Sequence, residues 1–133
     1  MKRDLDLQRK ILLRIEDAEP FEILWDLEID GYDKQAVAYH CEMLYDAGLI
    51  KEYHGITVDN YDGVLRFYVR DLTASGQDFI ETVRDDGIWA KTKKTIKDKG
   101  LPMVIETAKA VATGFVTAFA EGVANSILKN GGN

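Results

Sequence analysis

The side chains best suited to nucleophilic or metal chemistry in this chain are His40, Cys41 and His54, and their spacing supports neither. His40 and Cys41 are neighbours in a stretch of helical periodicity, so they point in different directions and neither is aimed at the other. A metal site needs several ligands in register, and these residues do not supply them. Asp and Glu total 23, yet no pair is set apart for acid/base work, and a solvated acidic face accounts for them. The chain has no GxGxxG or Walker-type loop. The expectation is a non-enzymatic protein with no catalytic, cofactor-binding or metal-binding residues.

The remaining candidates for chemistry are cations and amides that could meet a phosphate backbone. They are Lys34, Gln35 and Tyr39 in one helical stretch, Arg66 and Arg70 in an extended stretch, and Lys91, Lys93 and Lys94 further on. The element that would position the first three spans Tyr32 to Ile50. Val37, His40, Cys41 and Leu44 recur at offsets of three, four and seven, which places them on one helix face. Asp33 stands where an N-cap belongs, and Gly48 where a left-handed residue closes a helix. Leu49 and Ile50 then fold back on the helix end.

Upstream, Asp4 to Glu16 is a helix with Leu5, Leu7, Ile11, Leu12 and Ile15 as its apolar stripe, and Pro20 closes the segment. From Phe21 to Asp30, apolar and acidic residues alternate, broken at Leu24, and the period favours a strand over a helix. Downstream, residues 50–58 and 64–72 form a hairpin around Asn60-Tyr61-Asp62-Gly63, with Gly63 free to take positive φ. Thr73 or Ser75 caps a further helix carrying Phe79, Ile80 and Val83. Asp85-Asp86-Gly87 interrupts it, and Ile88 and Trp89 anchor a basic continuation.

A helix that ends in Ala-Gly-Leu-Ile and runs into a hairpin matches the recognition helix and wing of a winged-helix domain. The expected fold is therefore α+β, a winged-helix-like domain over residues 1–99 followed by a long C-terminal helix over 100–133. One departure is that an ordinary helix-turn-helix would place a short helix where residues 21–30 alternate.

Leu101 to Lys129 carries two ribbons at spacing four. One is bulky, with Val111, Phe115, Phe119 and Val123; the other is small, with Ala110, Gly114, Ala118 and Gly122. Small residues let a second helix approach closely, so these eight positions are the candidate oligomerisation face of a homodimer. The longest uncharged run, Ala110 to Ala120, falls short of the ~20 residues of a spanning helix, so no membrane span is expected. The start of the chain has no apolar secretory region, and the default address is the cytoplasm. The single Cys41 excludes an intrachain disulfide.

Charge separates the possible partners. Residues 1–90 hold 10 Lys+Arg against 20 Asp+Glu, whereas residues 91–99 hold five Lys and one Asp. Neutralising phosphates dominates duplex affinity, so an acidic helix and wing argue against a simple DNA binder. Two readings stay open. One is a DNA-associated regulator dimerised by its last helix. The other is an acidic protein-interaction module on the same scaffold.

Several stretches together resemble an uncharacterised bacterial and prophage family, domain of unknown function 2513. They are Met1-Lys2-Arg3-Asp4-Leu5-Asp6-Leu7 with Lys10-Ile11-Leu12, Tyr39-His40, Leu44, and Ala47-Gly48-Leu49-Ile50. Leu72-Thr73 with Gly76 and Phe79, and Ile88-Trp89 with Lys91 and Lys93, complete the set. The family pattern usually has Trp after Leu-Thr and His after the Gly, where this chain has Ala74 and Gln77. The resemblance implies a winged-helix-like domain of phage or mobile-element origin and transfers no site residues.

Overall fold

The computed structural model describes residues 1–131, and the chain divides into two compact units, Met1–Glu81 and Thr82 onward. In chain order the elements are α1 (Leu5–Glu16), β1 (Ile23–Trp25), α2 (Lys34–Asp46), β2 (Ile50–Ile56), β3 (Arg66–Leu72), α3 (Ala74–Val83), α4 (Asp86–Asp98) and α5 (Ile105–Gly131). The protein is of the α+β class, with a small antiparallel sheet and a long C-terminal helix.

In the first unit the strand order is β1-β3-β2. Leu24 sits opposite Val69, and Tyr53 opposite Val69 on the other side. Side chains alternate across a strand, so Leu24, Phe67 and Val69 point to one face and are buried there. That face is covered by α1 and α2, whose Leu7, Ile11, Leu12, Val37, Cys41 and Leu44 are all buried. Phe79 and Ile80 of α3 complete the core.

Caps fix where these helices start and stop. Asp4 accepts from the N–H of Leu7, and Asp33 from that of Ala36, each satisfying a donor that the helix leaves orphaned. Gly48 at φ 77 turns α2 into β2, a conformation that favours glycine. Thr73 then ties the two ends of the hairpin together. Its hydroxyl donates to Gly48 O at 2.5 Å and accepts from Gly76 N at 3.0 Å, while its N–H donates to Leu49 O at 3.0 Å.

Residues 21–30 depart from the alternating strand. Only Ile23–Trp25 pairs, and the buried residue is Leu24, the one that breaks the pattern. Phe21, Ile23 and Trp25 are exposed. Asp26, at φ 48, turns the chain out of the sheet, and residues 26–33 run to α2 as a loop.

In the second unit α4 and α5 pack on one another, and Trp89, Thr92, Ile96, Ala108 and Ala112 are buried. Asp85 caps α4, accepting from Ile88 N at 2.8 Å. Gly100 adopts φ 65 in the turn between these helices, and the two units divide at 81/82, which leaves α4 and α5 in one unit. From Val116 to Asn130 every residue of α5 is exposed. Measured by length and composition, Ile105–Asn130 is long and apolar enough to cross a membrane. Glu121 is the one charged residue between Lys109 and Lys129, so an uncharged stretch resumes beyond the run that ends at Ala120.

Candidate functional site

The outward face of the sheet carries the densest set of exposed side chains with binding chemistry in the first unit. The register puts Ile23 and Trp25 of β1, Arg66, Tyr68 and Arg70 of β3, and Glu52 and His54 of β2 on that face. Trp25 stands edge-on to Tyr68 with centroids 5.0 Å apart, and His54 lies against the other side of Tyr68 at 5.6 Å. Ile23 is 49% exposed and Trp25 44%. The result is an aromatic strip across three strands, opposite the packed core.

The two arginines on this face are held by carboxylates. Arg66 Nε donates to Asp26 Oδ2 at 2.9 Å, and its guanidinium lies 4.4 Å from the Trp25 ring centroid. Arg70 Nε donates to Glu52 Oε2 at 2.7 Å, and Arg70 Nη1 to Asp71 Oδ2 at 2.8 Å. Tyr68 Oη donates to the other Glu52 oxygen at 2.9 Å. The Arg70 and Tyr68 bonds hold the Glu52 carboxyl below its ordinary range. The bond to Glu52 pushes the Tyr68 hydroxyl up, and the same carboxylate raises Arg70.

Asp26 joins this face to α2. Its other oxygen, Oδ1, accepts from Phe67 N at 3.0 Å and lies 3.8 Å from Lys34 Nζ. Burial pushes the Asp26 carboxyl up, but the Arg66 and Phe67 bonds and the Lys34 charge outweigh it, so it titrates below its ordinary range. Lys34 also donates to Leu65 O at 3.2 Å. Gln35 is a clamp: its Nε2 donates to Val64 O and its Oε1 accepts from Val64 N, both at 2.8 Å. Gln35 therefore fastens the loop end of the hairpin to α2 with both ends of its amide. Tyr39 stays 44% exposed, over a groove shared with Glu42, Tyr53, Tyr61 and Asp62. Burial pushes the Tyr53 hydroxyl up to about 12.

Of the sequence candidates, the structure thus brings Arg66 and Arg70 onto one face, places Lys34 and Gln35 at the junction of α2 and the hairpin, and sets Tyr39 on the exposed side of α2. Lys91, Lys93 and Lys94 lie on α4 in the second unit, where Lys94 donates to Asp98 at 2.6 Å and Lys93 sits 5.8 Å from the Trp89 centroid. None of the eight oligomerisation positions is buried: Val111 and Phe115 are half-buried, and Ala110, Gly114, Ala118, Phe119, Gly122 and Val123 are exposed.

The residues that sequence reasoning missed are Trp25, Asp26, Glu52 and Tyr68. The signal was present for Glu52, which faces Arg70 once the hairpin register is drawn from its turn. Asp26 gave none, because it reaches Arg66 across a break between strands.

The other chemistry-bearing residues are structural. His40 is buried; its Nε2 accepts from Asp4 N at 2.8 Å, and its Nδ1 lies 2.7 Å from Ala36 O, where the proton belongs. Cys41 is buried, and burial pushes its thiol up. Among the described residues no group of three or more His, Cys, Asp or Glu is placed to hold a metal ion.

A family model described as Hypothetical protein (DUF2513) matches residues 2–102. An uncharacterised protein of Haemophilus influenzae is 32% identical over 118 residues, covering 88% of this chain and 97% of that protein. No solved structure matches the chain.

Proposed function

This chain belongs to the DUF2513 family, and within it we propose a non-catalytic protein-interaction module that docks a partner protein on the outward face of its sheet. The observation that carries this reading is the pairing of exposed Ile23 and Trp25 and half-buried Tyr68 with arginines already neutralised by Asp26, Glu52 and Asp71. Tryptophan, tyrosine and arginine dominate binding energy at protein interfaces. A paired guanidinium keeps its planar stacking surface while presenting little net charge. Phosphate binding asks for the reverse, cations left open to exchange counterions. Lys34, Arg66 and Arg70 all face carboxylates within 4 Å, in a segment where acids outnumber bases two to one.

A second reading keeps one supporting observation. The order β1-β3-β2 after α1, with α2 leading into the hairpin, supports a winged-helix-like scaffold in which the loop 26–33 takes the place of the second helix. That scaffold is compatible with a DNA-associated regulator, but fold alone does not assign function.

The two readings separate in one experiment. The full chain is used as bait in nuclease-treated host lysate beside Trp25→Ala and Tyr68→Ala, and in parallel titrated against labelled duplex at low salt. The interaction reading expects a protein captured by the parent and lost by both variants, with no salt-sensitive duplex binding. Duplex binding that weakens steeply with salt and survives both variants would replace it with the DNA reading.

A further inference from the structure

We infer that α5 crosses a lipid bilayer carrying anionic headgroups, with α4 seated at the headgroup level. This rests on the second unit alone and is independent of the sheet face. Between Lys109 and Lys129 the only charged residue is Glu121. At ~1.5 Å per residue that interval spans about 28 Å; its first turns, where Ala112 is buried in the α4–α5 packing, lie at the headgroup level, and the exposed remainder from Val116 enters the hydrocarbon. Within Ile105–Asn130 a stretch of mean hydropathy 1.3 has only 6% of its residues buried. Phe119 is 72% exposed, Ile127 65% and Leu128 73%. A helix this apolar is ordinarily covered, by a core or by lipid.

A second copy of the chain does not cover it in water. Pairing through Ala110, Gly114, Ala118 and Gly122 leaves Val116, Val123 and Ile127 on the far side. Pairing through the bulky ribbon leaves Leu128 outward and a rim with Glu121 as its one charge, where water-borne coiled coils carry rows of charge. Gly114 and Gly122 have nothing within 4 Å of where a Cβ would stand. Glycines in a bare helix weaken it in water, yet they are frequent in bilayer helices.

The independent observation is charge. Directly before α5, residues 91–99 carry five lysines against Asp98, and Lys91, Lys94, Lys97 and Lys99 are exposed. A lysine cluster next to a spanning helix is the pattern drawn to anionic headgroups, and it marks the cytoplasmic side. Lys109 and Lys129 bracket the apolar interval, each long enough to reach an interface. Glu121 shares the small-residue face with Ala110, Gly114 and Thr117, where close approach of a second α5 within the bilayer would shield it from the acyl chains. In this arrangement the first unit lies on the cytoplasmic side.

The test is flotation of the full chain with phosphatidylcholine vesicles containing or lacking phosphatidylglycerol, followed by an alkaline carbonate wash. The expected result is flotation with the mixed vesicles that survives carbonate, and at least a tenfold weaker partition for Phe119→Lys combined with Val123→Lys. Those positions are exposed, so the variant is expected to keep its far-ultraviolet dichroism and its shielded Cys41. Reversing Lys91 and Lys97 to Glu is expected to abolish the preference for phosphatidylglycerol. Three outcomes overturn the inference: protein that stays in the aqueous fraction, a soluble dimer by light scattering that ignores vesicles, or binding that carbonate removes entirely.

Discussion

Asp26 and Phe67 bond each other twice. The N–H of Asp26 donates to Phe67 O at 2.8 Å, and the N–H of Phe67 donates to Asp26 Oδ1 at 3.0 Å. Phe67 is fully buried, so this double bond closes the end of β1 over the core while the other oxygen of Asp26 holds Arg66 outside. Asp26 does so at φ 48, a conformation that Asp tolerates better than most residues.

Asp26→Asn keeps an oxygen for the Phe67 N–H but loses the charge facing Arg66 and Lys34, partly exposed pairs that solvent screens, so it is expected to cost the first unit about 0.5–1 kcal/mol at neutral pH. The pH dependence follows from the lowered titration of the carboxyl. Its contribution is present above the ordinary carboxylate pKa of about 3.9 and is lost as pH falls through the lower folded value. Urea unfolding between neutral and acid pH should therefore show a steeper loss for the parent than for Asp26→Asn. Parallel curves would mean that the carboxylate is not held by these partners.

His40 is the second hinge of the fold. It bonds α2's own Ala36 O and the N–H of Asp4, the residue that caps α1 and also accepts from Tyr32 Oη at 3.0 Å. His40→Leu fits the volume but orphans the Asp4 N–H. We expect a loss of about 2–3 kcal/mol in the unfolding free energy measured in urea, against about 1 kcal/mol for Asp4→Asn, which keeps a capping oxygen.

Gly76 and Gly48 separate two reasons for glycine. A Cβ on Gly76 would overlap Leu49 O, so α3 could not keep its approach to the hairpin. At Gly48 nothing lies within 4 Å, and only the φ of 77 resists a side chain. Gly76→Ala should lower stability by about 2 kcal/mol or more, and Gly48→Ala by about 1 kcal/mol. Thermal melts of the two variants read the difference; equal shifts would show that α3 can move aside.

Legibility in the sequence followed the range of the interaction. α1, α2 and the hairpin could be read because each is set by local pattern: the Leu5-to-Ile15 stripe, the Asp33 and Gly48 ends, the turn at Gly63. Residues 21–30 misled because their alternation is real but ends after three paired residues, where Asp26 leaves the sheet for Phe67, some forty positions away in sequence. The cations were visible as candidates and Glu52 could be placed from the hairpin register, but Asp26 could not, since it meets Arg66 only after folding. In α5 the two ribbons were plain, whereas exposure was not: a periodic pattern is the same whether a helix is covered or bare.

Cys41 offers a probe that touches nothing functional. It is fully buried, and burial raises its thiol, so the reactive thiolate is suppressed twice over. Labelling by a thiol reagent at neutral pH should be undetectable in the native protein and complete in denaturant. Its slow native rate should rise in step with the destabilisation of Gly76→Ala. Rapid labelling of the parent would mean that the α1–α2 interface opens without unfolding.

Trp25 decides between a surface that binds and one that merely tolerates an aromatic ring. Its contacts within the chain are an edge-on Tyr68 and a stacked Arg66 guanidinium, each of modest worth at an exposed site, about 0.5–1 kcal/mol. Trp25→Ala should therefore lower stability by about 1–2 kcal/mol at most and leave the dichroism spectrum unchanged. If the strip is the centre of an interface, truncation costs the complex about 2 kcal/mol or more, roughly a thirtyfold loss of affinity. Lys34→Ala, at the margin, should cost far less, because a rim charge acts mainly on association rate. A partner whose affinity falls with Lys34 but not with Trp25 would place binding on α2 and the hairpin, and return the sheet face to a purely structural role.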